Sequence, residues 1–218
     1  DRSCNIDPRE VEKAITPRTS AIVAVHMFGQ PARVQELEAL AKKHGLLLFF
    51  DSAHGFGAEY HGRKAGGFGD AEIFSLGPTK TLPVGEGGII TTRSKELGEK
   101  FHYILNHGHG GKSLDSVYDG LNGRLQEFNG VLGLHLLPQM DAVIDKRNAI
   151  AQKYLQRLKG IAGIGFPEKY PDVKSTYKDF VIFIEPDVFG RTRDEVCESL
   201  LAKGIVTKKY YYPPAHLQ

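Results

Sequence analysis

Two stretches decide the fold of this chain: LLLFFDSAHGFG at residues 46–57 and AEIFSLGPTK at residues 71–80. Each begins with an apolar run of strand length and continues into a turn that contains glycine. Asp51 directly follows the first run, and Lys80 follows the second run after a Gly-Pro turn. Because ligands of α/β sheets bind at the carboxyl ends of the strands, we expect this carboxylate and this amine to share a crevice.

The sequence on either side of these stretches alternates between strand and helix patterns. Residues 19–26 (TSAIVAVH) have the composition of a buried strand, and residues 33–44 carry apolar side chains at helical spacing before Gly45. An Asp-Pro pair at residues 7–8 is typical of a helix start. Strand, helix and strand in this order predict parallel βαβ units, so we expect an α/β fold with a mostly parallel sheet and flanking helices.

The second half of the chain is predicted from the same patterns. We expect further strands at 88–92, 180–184 and 205–211, and helices at 94–106, 125–137, 141–158 and 192–203. We divide the chain into a large cofactor-binding domain at residues 1–140 and a bridging helix with a small α+β domain at residues 141–218. The chain does not begin with Met and stops directly after an apparent strand, so we expect a fragment of a longer protein.

Composition excludes several classes of partner. The formal net charge of +2 provides no strong field for nucleic acid, and no apolar run approaches the ~20 residues that a membrane helix needs. The two cysteines, Cys4 and Cys197, are far apart and have no metal-ligand spacing. They are typical of reduced thiols, which predicts a cytoplasmic protein.

Asp51 and Lys80 together suit pyridoxal phosphate (PLP). An enzyme of this type needs an amine to bind the cofactor's aldehyde and a carboxylate to keep the ring nitrogen protonated. Each residue also has an ordinary explanation, since Lys80 could be a solvated surface lysine and Asp51 a turn aspartate. Glycines on both sides of Lys80 favour the functional interpretation, because they allow the backbone to approach a ligand closely.

Two neighbours of this pair are further candidates. His54 lies three residues after Asp51, and without a third ligand nearby a metal site is disfavoured, whereas packing against a flat ring or bonding to its phenolic oxygen fits. Ser75 ends the second apolar run, where its hydroxyl could bind a phosphate or merely satisfy the backbone. His107 and His109 lie in a glycine-rich segment, which we interpret as a loop rather than as a metal site.

Three motifs in this order, DSAHGFGA, FSLGPTKTLPVGEGG and GLNGRLQEFNG, resemble the DegT/StrS family of PLP-dependent nucleotide-sugar aminotransferases. The resemblance extends over nearly the full length and implies the type I, aspartate aminotransferase-like fold. It implies that Lys80 bonds covalently to the cofactor and shuttles a proton, and that Asp51 pairs with the ring nitrogen. It further implies that Ser75 binds the phosphate and that His54, glutamine in many members, contacts the ring or its 3-hydroxyl.

The resemblance also implies a homodimer, because Asn122 matches an asparagine that reaches the phosphate of the neighbouring subunit. The expected reaction transfers an amino group from glutamate to a nucleotide-linked keto-deoxysugar. His54 and the GEGG segment favour the 4-position of dTDP-4-keto-6-deoxyglucose, whereas Gly123 departs from the tyrosine of many members. A non-catalytic sensor and a PLP-dependent dehydratase are the alternatives. Members are longer at the N-terminus, where a phosphate-binding turn lies, so we expect the 218-residue chain alone to bind PLP poorly.

Overall fold

The computed structural model describes residues 1–110, 115–214 and 217. The helices of this part of the chain are α1 (Pro8–Ala14), α2 (Val34–His44), α3 (Lys95–Leu105), α4 (Glu127–Leu136), α5 (Met140–Leu158), α6 (Pro186–Phe189) and α7 (Arg193–Leu201). The strands are β1 (Ala21–Val25), β2 (Leu47–Asp51), β3 (Glu59–Tyr60), β4 (Arg63–Lys64), β5 (Ala71–Ser75), β6 (Gly88–Thr91), β7 (Ile164–Gly165), β8 (Val173–Lys174) and β9 (Phe183–Ile184). No helix among the described residues is long and apolar enough to cross a membrane.

The central sheet has the order β1-β2-β5-β6. The first three strands are parallel, and β6 runs antiparallel to β5. In this register Val25, Asp51 and Ile73 lie side by side, so the predicted strand ends do meet at one edge of the sheet. The prediction of an α/β fold with a mostly parallel sheet and flanking helices is confirmed.

One face of this sheet packs on helix α2. The helix turns four apolar side chains inward and ends at Gly45, whose φ of 64° is left-handed and therefore suits glycine. The opposing strand residues are buried, and each of the larger apolar side chains among them stabilises the fold by roughly 1.5–3 kcal/mol. The buried residues of this contact are Val34, Leu37, Leu40 and Ala41 from the helix and Ile22, Ala24, Leu48 and Phe50 from the strands.

The glycine-rich stretch at residues 55–69 contains a hairpin that sequence patterns missed. Strands β3 and β4 pair antiparallel through a turn at His61 and Gly62, whose φ angles of 48° and 74° suit a two-residue hairpin. Strand β8 pairs with β3 on its other side. A third, two-stranded sheet joins β7 and β9.

The strand predicted at residues 205–211 is wrong. These residues, all of them described, form no strand, and the side chains of Ile205 and Val206 are 52% and 79% exposed. β-Branched composition alone does not hold a strand that has no partner to pair with. The contacts divide the chain into two compact units, residues 1–151 with 168–180 and residues 152–167 with 181–218. The boundary predicted near residue 140 concerns the domains of the whole protein and stays a prediction.

Candidate active site

Asp51 and Ser75 are the last residues of two neighbouring strands, β2 and β5. Side chains alternate along a strand, and Phe50 and Phe74 point into the core. Asp51 and Ser75 therefore project from the opposite face of the sheet, next to Ile73. The structure thus places two of the predicted site residues on one face, at the carboxyl edge where parallel sheets bind their ligands.

Lys80 reaches this edge through a tight turn. Its backbone N–H donates to the carbonyl oxygen of Gly77 at 3.0 Å, which closes the turn that follows β5. A Cβ placed on Gly77 would lie 3.7 Å from the Ser75 Oγ, 3.9 Å from the Lys80 Cγ and 3.6 Å from a carboxylate oxygen of Glu86. These three side chains surround Gly77, so Ser75 and Lys80 share one small region, and Glu86 joins them.

The imidazole of His54 is affected by burial and by the charges of several neighbouring side chains. Burial lowers the pKa of this imidazole, the positive charges of Lys80 and Lys178 lower it further, and the carboxylates of Asp179 and Asp51 act more weakly in the opposite direction. The ring is therefore neutral at neutral pH. Its Nδ1 is buried and finds no hydrogen-bond partner among the described residues, so one ring nitrogen is left unsatisfied.

A buried carboxylate holds the loop that follows Asp51 and carries His54. Oε2 of Glu72 accepts a hydrogen bond from the Ser52 hydroxyl at 2.7 Å, and Oε1 accepts from the backbone N–H groups of Gly66 and Phe68 at 2.6 and 2.7 Å. Burial favours the neutral acid, but the contacts with His26, Ser52 and Phe68 outweigh it and leave the pKa of Glu72 below its ordinary value. One ionised side chain thus fixes both ends of the loop.

Three further residues of the site, Thr176, Lys178 and Asp179, were not predicted from the sequence. The hydroxyl of Thr176 donates to the carbonyl oxygen of His54 at 2.7 Å, and its backbone N–H donates to Gly29 at 3.0 Å. Lys178 is only 6% exposed and pairs with Asp179 at 3.1 Å. They lie more than a hundred residues from His54 in sequence, so only the fold brings these groups together.

Asn122 lies apart from the other candidates. It forms an isolated bridge with Asn106, and its Oδ1 accepts a hydrogen bond from Nε of Arg124 at 3.2 Å. Its side chain is exposed, and no hydrogen bond within the described residues joins it to the other four. The rings of His107 and His109 are 5.6 Å apart, and the described part of the chain contains no group of three or more potential metal ligands.

Four chemically different groups therefore meet at the strand ends: an amine, a carboxylate, a hydroxyl and a neutral imidazole. The chain matches the model of the DegT/DnrJ/EryC1/StrS aminotransferase family over residues 1–218. It belongs to this family.

Curated relatives in the DegT/DnrJ/EryC1/StrS family include two sugar transaminases. The dTDP-3-amino-3,4,6-trideoxy-alpha-D-glucose transaminase of Streptomyces venezuelae is 38% identical over 97% of this chain and 54% of its own length. The dTDP-4-amino-4,6-dideoxy-D-glucose transaminase of Shigella dysenteriae is 35% identical over 94% of this chain and 55% of its own length. The chain thus spans about half the length of the relatives that it matches.

A solved structure from the same family has the same fold. The crystal structure of Streptomyces venezuelae DesV in complex with a ketimine intermediate superposes with a TM-score of 0.91. It is 38% identical, and the match covers 98% of this chain and 56% of that one. The type I aminotransferase fold predicted from the motifs is therefore confirmed for the part of the fold that this chain contains.

Proposed function

We propose that the full-length protein is a PLP-dependent aminotransferase that moves an amino group from glutamate to a nucleotide-linked keto-deoxysugar. The convergence of Lys80, Asp51, Ser75 and His54 at the carboxyl edge of the sheet is the observation that carries the proposal. The names of both transaminase relatives, which specify dTDP-linked amino sugars, support the substrate class.

The residues present suit PLP. Ser75 offers a hydroxyl for the phosphate, Asp51 a carboxylate for the ring nitrogen, and Lys80 an amine for the aldehyde carbon. The orphaned Nδ1 of His54 is a buried polar atom that a phenolic oxygen of the ring would satisfy. When bound, PLP supplies an electron sink for the carbon that loses its proton.

The remaining chemistry belongs to side chains of this chain. Nζ of Lys80 would take up the proton from the donor's α-carbon and deliver it to the carbon of the cofactor's aldehyde group. Asp51 keeps a negative charge beside the ring nitrogen and so favours its protonated form. The Glu72 contacts with Ser52, Gly66 and Phe68 hold the loop, so Asp51 and His54 do not need to reorganise during the reaction.

The 4-position of dTDP-4-keto-6-deoxyglucose is the acceptor that we propose within this class. His54 and the Gly85-Glu86-Gly87-Gly88 segment favour it, and the Shigella dysenteriae relative is named for a 4-amino sugar. Amination at the 4-position is a narrower proposal than the substrate class of nucleotide-linked keto-deoxysugars, because the Streptomyces venezuelae relative is named for a 3-amino sugar.

The proposed assembly is a homodimer with shared active sites in the cytoplasm. Helix α4 exposes an apolar stripe in which Phe128, Val131 and Leu134 are 79%, 65% and 73% exposed. A stripe of this kind suits a protein surface better than water. The stripe follows Asn122 closely in sequence, as expected if the segment reaches a second copy. Cys4 and Cys197 are both free thiols, as in a reducing compartment.

The test is turnover by the full-length protein. It is incubated with PLP, glutamate and dTDP-4-keto-6-deoxyglucose, and the products are identified by mass and NMR. We expect 2-oxoglutarate and a 4-amino sugar in equal amounts. Lys80→Ala should abolish both products and the visible absorbance of bound cofactor, whereas the exposed control Lys95→Ala should retain them. A sensor would bind without turnover, and a dehydratase would consume no net glutamate.

A further inference from the structure

Lys80 also borders a cavity of about 410 Å³ that none of the roles above uses. Residues 78–81 and Pro83 form one wall. The other wall comprises Leu136 and Gln139 together with Met140, Val143 and Arg147 of α5. The cavity lies entirely within the first compact unit, so its walls come from one packed body. It is large enough for a small organic molecule, and one of its sides is the proposed cofactor-binding lysine.

Two polar atoms of the lining residues are buried without a partner. They are Nη1 of Arg147, on α5, and Oγ1 of Thr81, whose residue is only 3% exposed. Neither atom finds a hydrogen-bond partner in the described part of the chain. Buried polar atoms in folded proteins are almost always paired, and a buried donor without an acceptor is costly. The pair therefore indicates that a ligand completes this cavity.

The charges of the lining define the chemistry of that ligand. Arg147 supplies a permanent positive charge, Lys80 is a second basic group, and none of the described lining residues is acidic. A guanidinium keeps its charge at every pH that proteins tolerate and presents a planar fork of donors that matches a carboxylate. The Thr81 hydroxyl adds a third donor. These groups suit an anion that carries two oxygens in one plane.

We propose that Arg147 and Thr81 form a subsite that binds a carboxylate of the amino donor beside Lys80. The inference rests on the proposed function, because the donor's amino group would have to reach the aldehyde carbon to which Lys80 would bind. Its carboxylates would then lie nearby. The Nη1 of Arg147 and the hydroxyl of Thr81 donate to the carboxylate oxygens. Phosphate offers related oxygen chemistry, so the test compares the two anions directly.

The first experiment measures anion binding to the full-length protein by calorimetry, with glutarate and inorganic phosphate as the probes. Arg147→Gln should weaken glutarate binding about tenfold or more, which is the loss expected for a charge-assisted hydrogen bond. Thr81→Val preserves the side-chain shape and should weaken it to a smaller extent. Lys146→Ala removes an exposed positive charge from the neighbouring helix position and should change nothing.

Two results would overturn the proposal: glutarate binding that both cavity variants leave unchanged, and phosphate binding that is tighter than glutarate binding at this site. If Arg147→Gln does not fold, as judged by circular dichroism, the near-isosteric Thr81→Val decides alone. The calorimetry does not depend on catalysis. A protein that fails to transaminate would contradict the proposed function, and anion binding in the cavity could still be measured.

The second experiment separates the two substrates kinetically. Arg147→Gln should raise the KM for glutamate about tenfold and leave the KM for the keto-sugar unchanged, because only the donor carries the carboxylate. A rise in both KM values, or a fall in kcat alone, would contradict a donor-specific subsite. Arg147→Lys keeps the charge but not the planar fork, so we expect it to restore only part of the glutamate affinity.

Discussion

His54 is the residue whose protonation the structure constrains most directly. Burial and the positive charges of Lys80 and Lys178 lower the pKa of His54 in the folded protein. As the pH falls below about 6.5, the ordinary pKa of histidine, the unfolded chain therefore takes up a proton before the folded one does. The stability that neutral His54 contributes to the fold is therefore fully present above about pH 6.5, and it is lost as the pH falls towards the lowered pKa.

This pH dependence can be isolated with a single variant. His54→Gln keeps a polar side chain and removes the titration, so its free energy of unfolding should decrease less between pH 7.5 and pH 5.5 than that of the full-length wild type. Urea unfolding at both values measures the difference, and other titrating groups cancel in the comparison. Equal pH dependence in the two proteins would show that His54 does not titrate with a lowered pKa.

Asp51 gives a second prediction at the scale of one side chain. Asp51→Asn preserves the shape and removes the charge beside the ring nitrogen, so kcat of the full-length enzyme should fall about a hundredfold or more. The absorbance spectrum of bound cofactor should change as well, because the ring nitrogen loses its counter-charge. Asp141→Asn, an exposed carboxylate on α5, is the control and should behave as wild type.

The sequence predicted those site residues that lie at the ends of strong apolar runs. Asp51 and Ser75 end strands that the hydrophobic pattern locates to within a residue or two, and Lys80 follows the second of them, so their proximity could be predicted from sheet geometry. Thr176 and Lys178 could not be found in this way, because tertiary packing alone brings them to His54. Whether each residue has its proposed role remains a prediction.

At the scale of the elements, the alternation of side chains along β5 indicates that Glu72 is buried. Along β5, alternation places Glu72 on the same face as Phe74, so a charge had to enter the core. A buried carboxylate is tolerated only with hydrogen-bond partners, and it has three of them in Ser52, Gly66 and Phe68. The strand pattern thus contained a signal for a buried polar contact that the predictions above did not use, and it contained none for the loop that supplies the partners.

Glu72→Gln tests this contact. The amide puts a donor where the carboxylate accepts, so the free energy of unfolding should fall by about 2–3 kcal/mol. Hydrogen exchange at the amides of Gly66 and Phe68 should accelerate at the same time. Glu38→Gln is a matched control, since Glu38 accepts from the amide of Gly69 at 3.0 Å but is partly exposed, and it should cost about 1 kcal/mol or less. Equal losses in both variants would contradict the role of Glu72.

At the scale of the whole molecule, the described chain leaves apolar surface uncovered on the sheet face that carries Asp51 and Ser75. Val23, Leu47 and Ile73 of this face are 61%, 48% and 49% exposed. Composition and periodicity predicted the strands but not that one face of the sheet is left exposed. Strands that are buried on both faces and strands that are buried on one face are both rich in β-branched and aromatic residues. The relatives are nearly twice as long, so the stability of the whole protein has to be measured on the full-length form.

The proposed homodimer gives a prediction that only a shared active site can satisfy. Lys80→Ala removes the amine of its own site, and Asn122→Ala removes a phosphate contact from the partner's site, so each full-length variant alone should be weakly active or inactive. Mixing the two should create heterodimers in which one site has both defects and the other site has neither. With random exchange, half of the dimers are mixed and half of their sites are intact, so activity should recover to about a quarter of wild type.

The control for this experiment pairs Lys80→Ala with Asp51→Asn. Asp51 ends β2, Lys80 follows the neighbouring strand β5 of the same chain, and both act in the same proposed site, so every site of that heterodimer is defective and no activity should return. Recovery in the first mixture but not in the second would assign Asn122 to the partner's site. If Asn122 instead served its own subunit, no site in the first mixture would be intact, and the assay would read only the residual activity of Asn122→Ala.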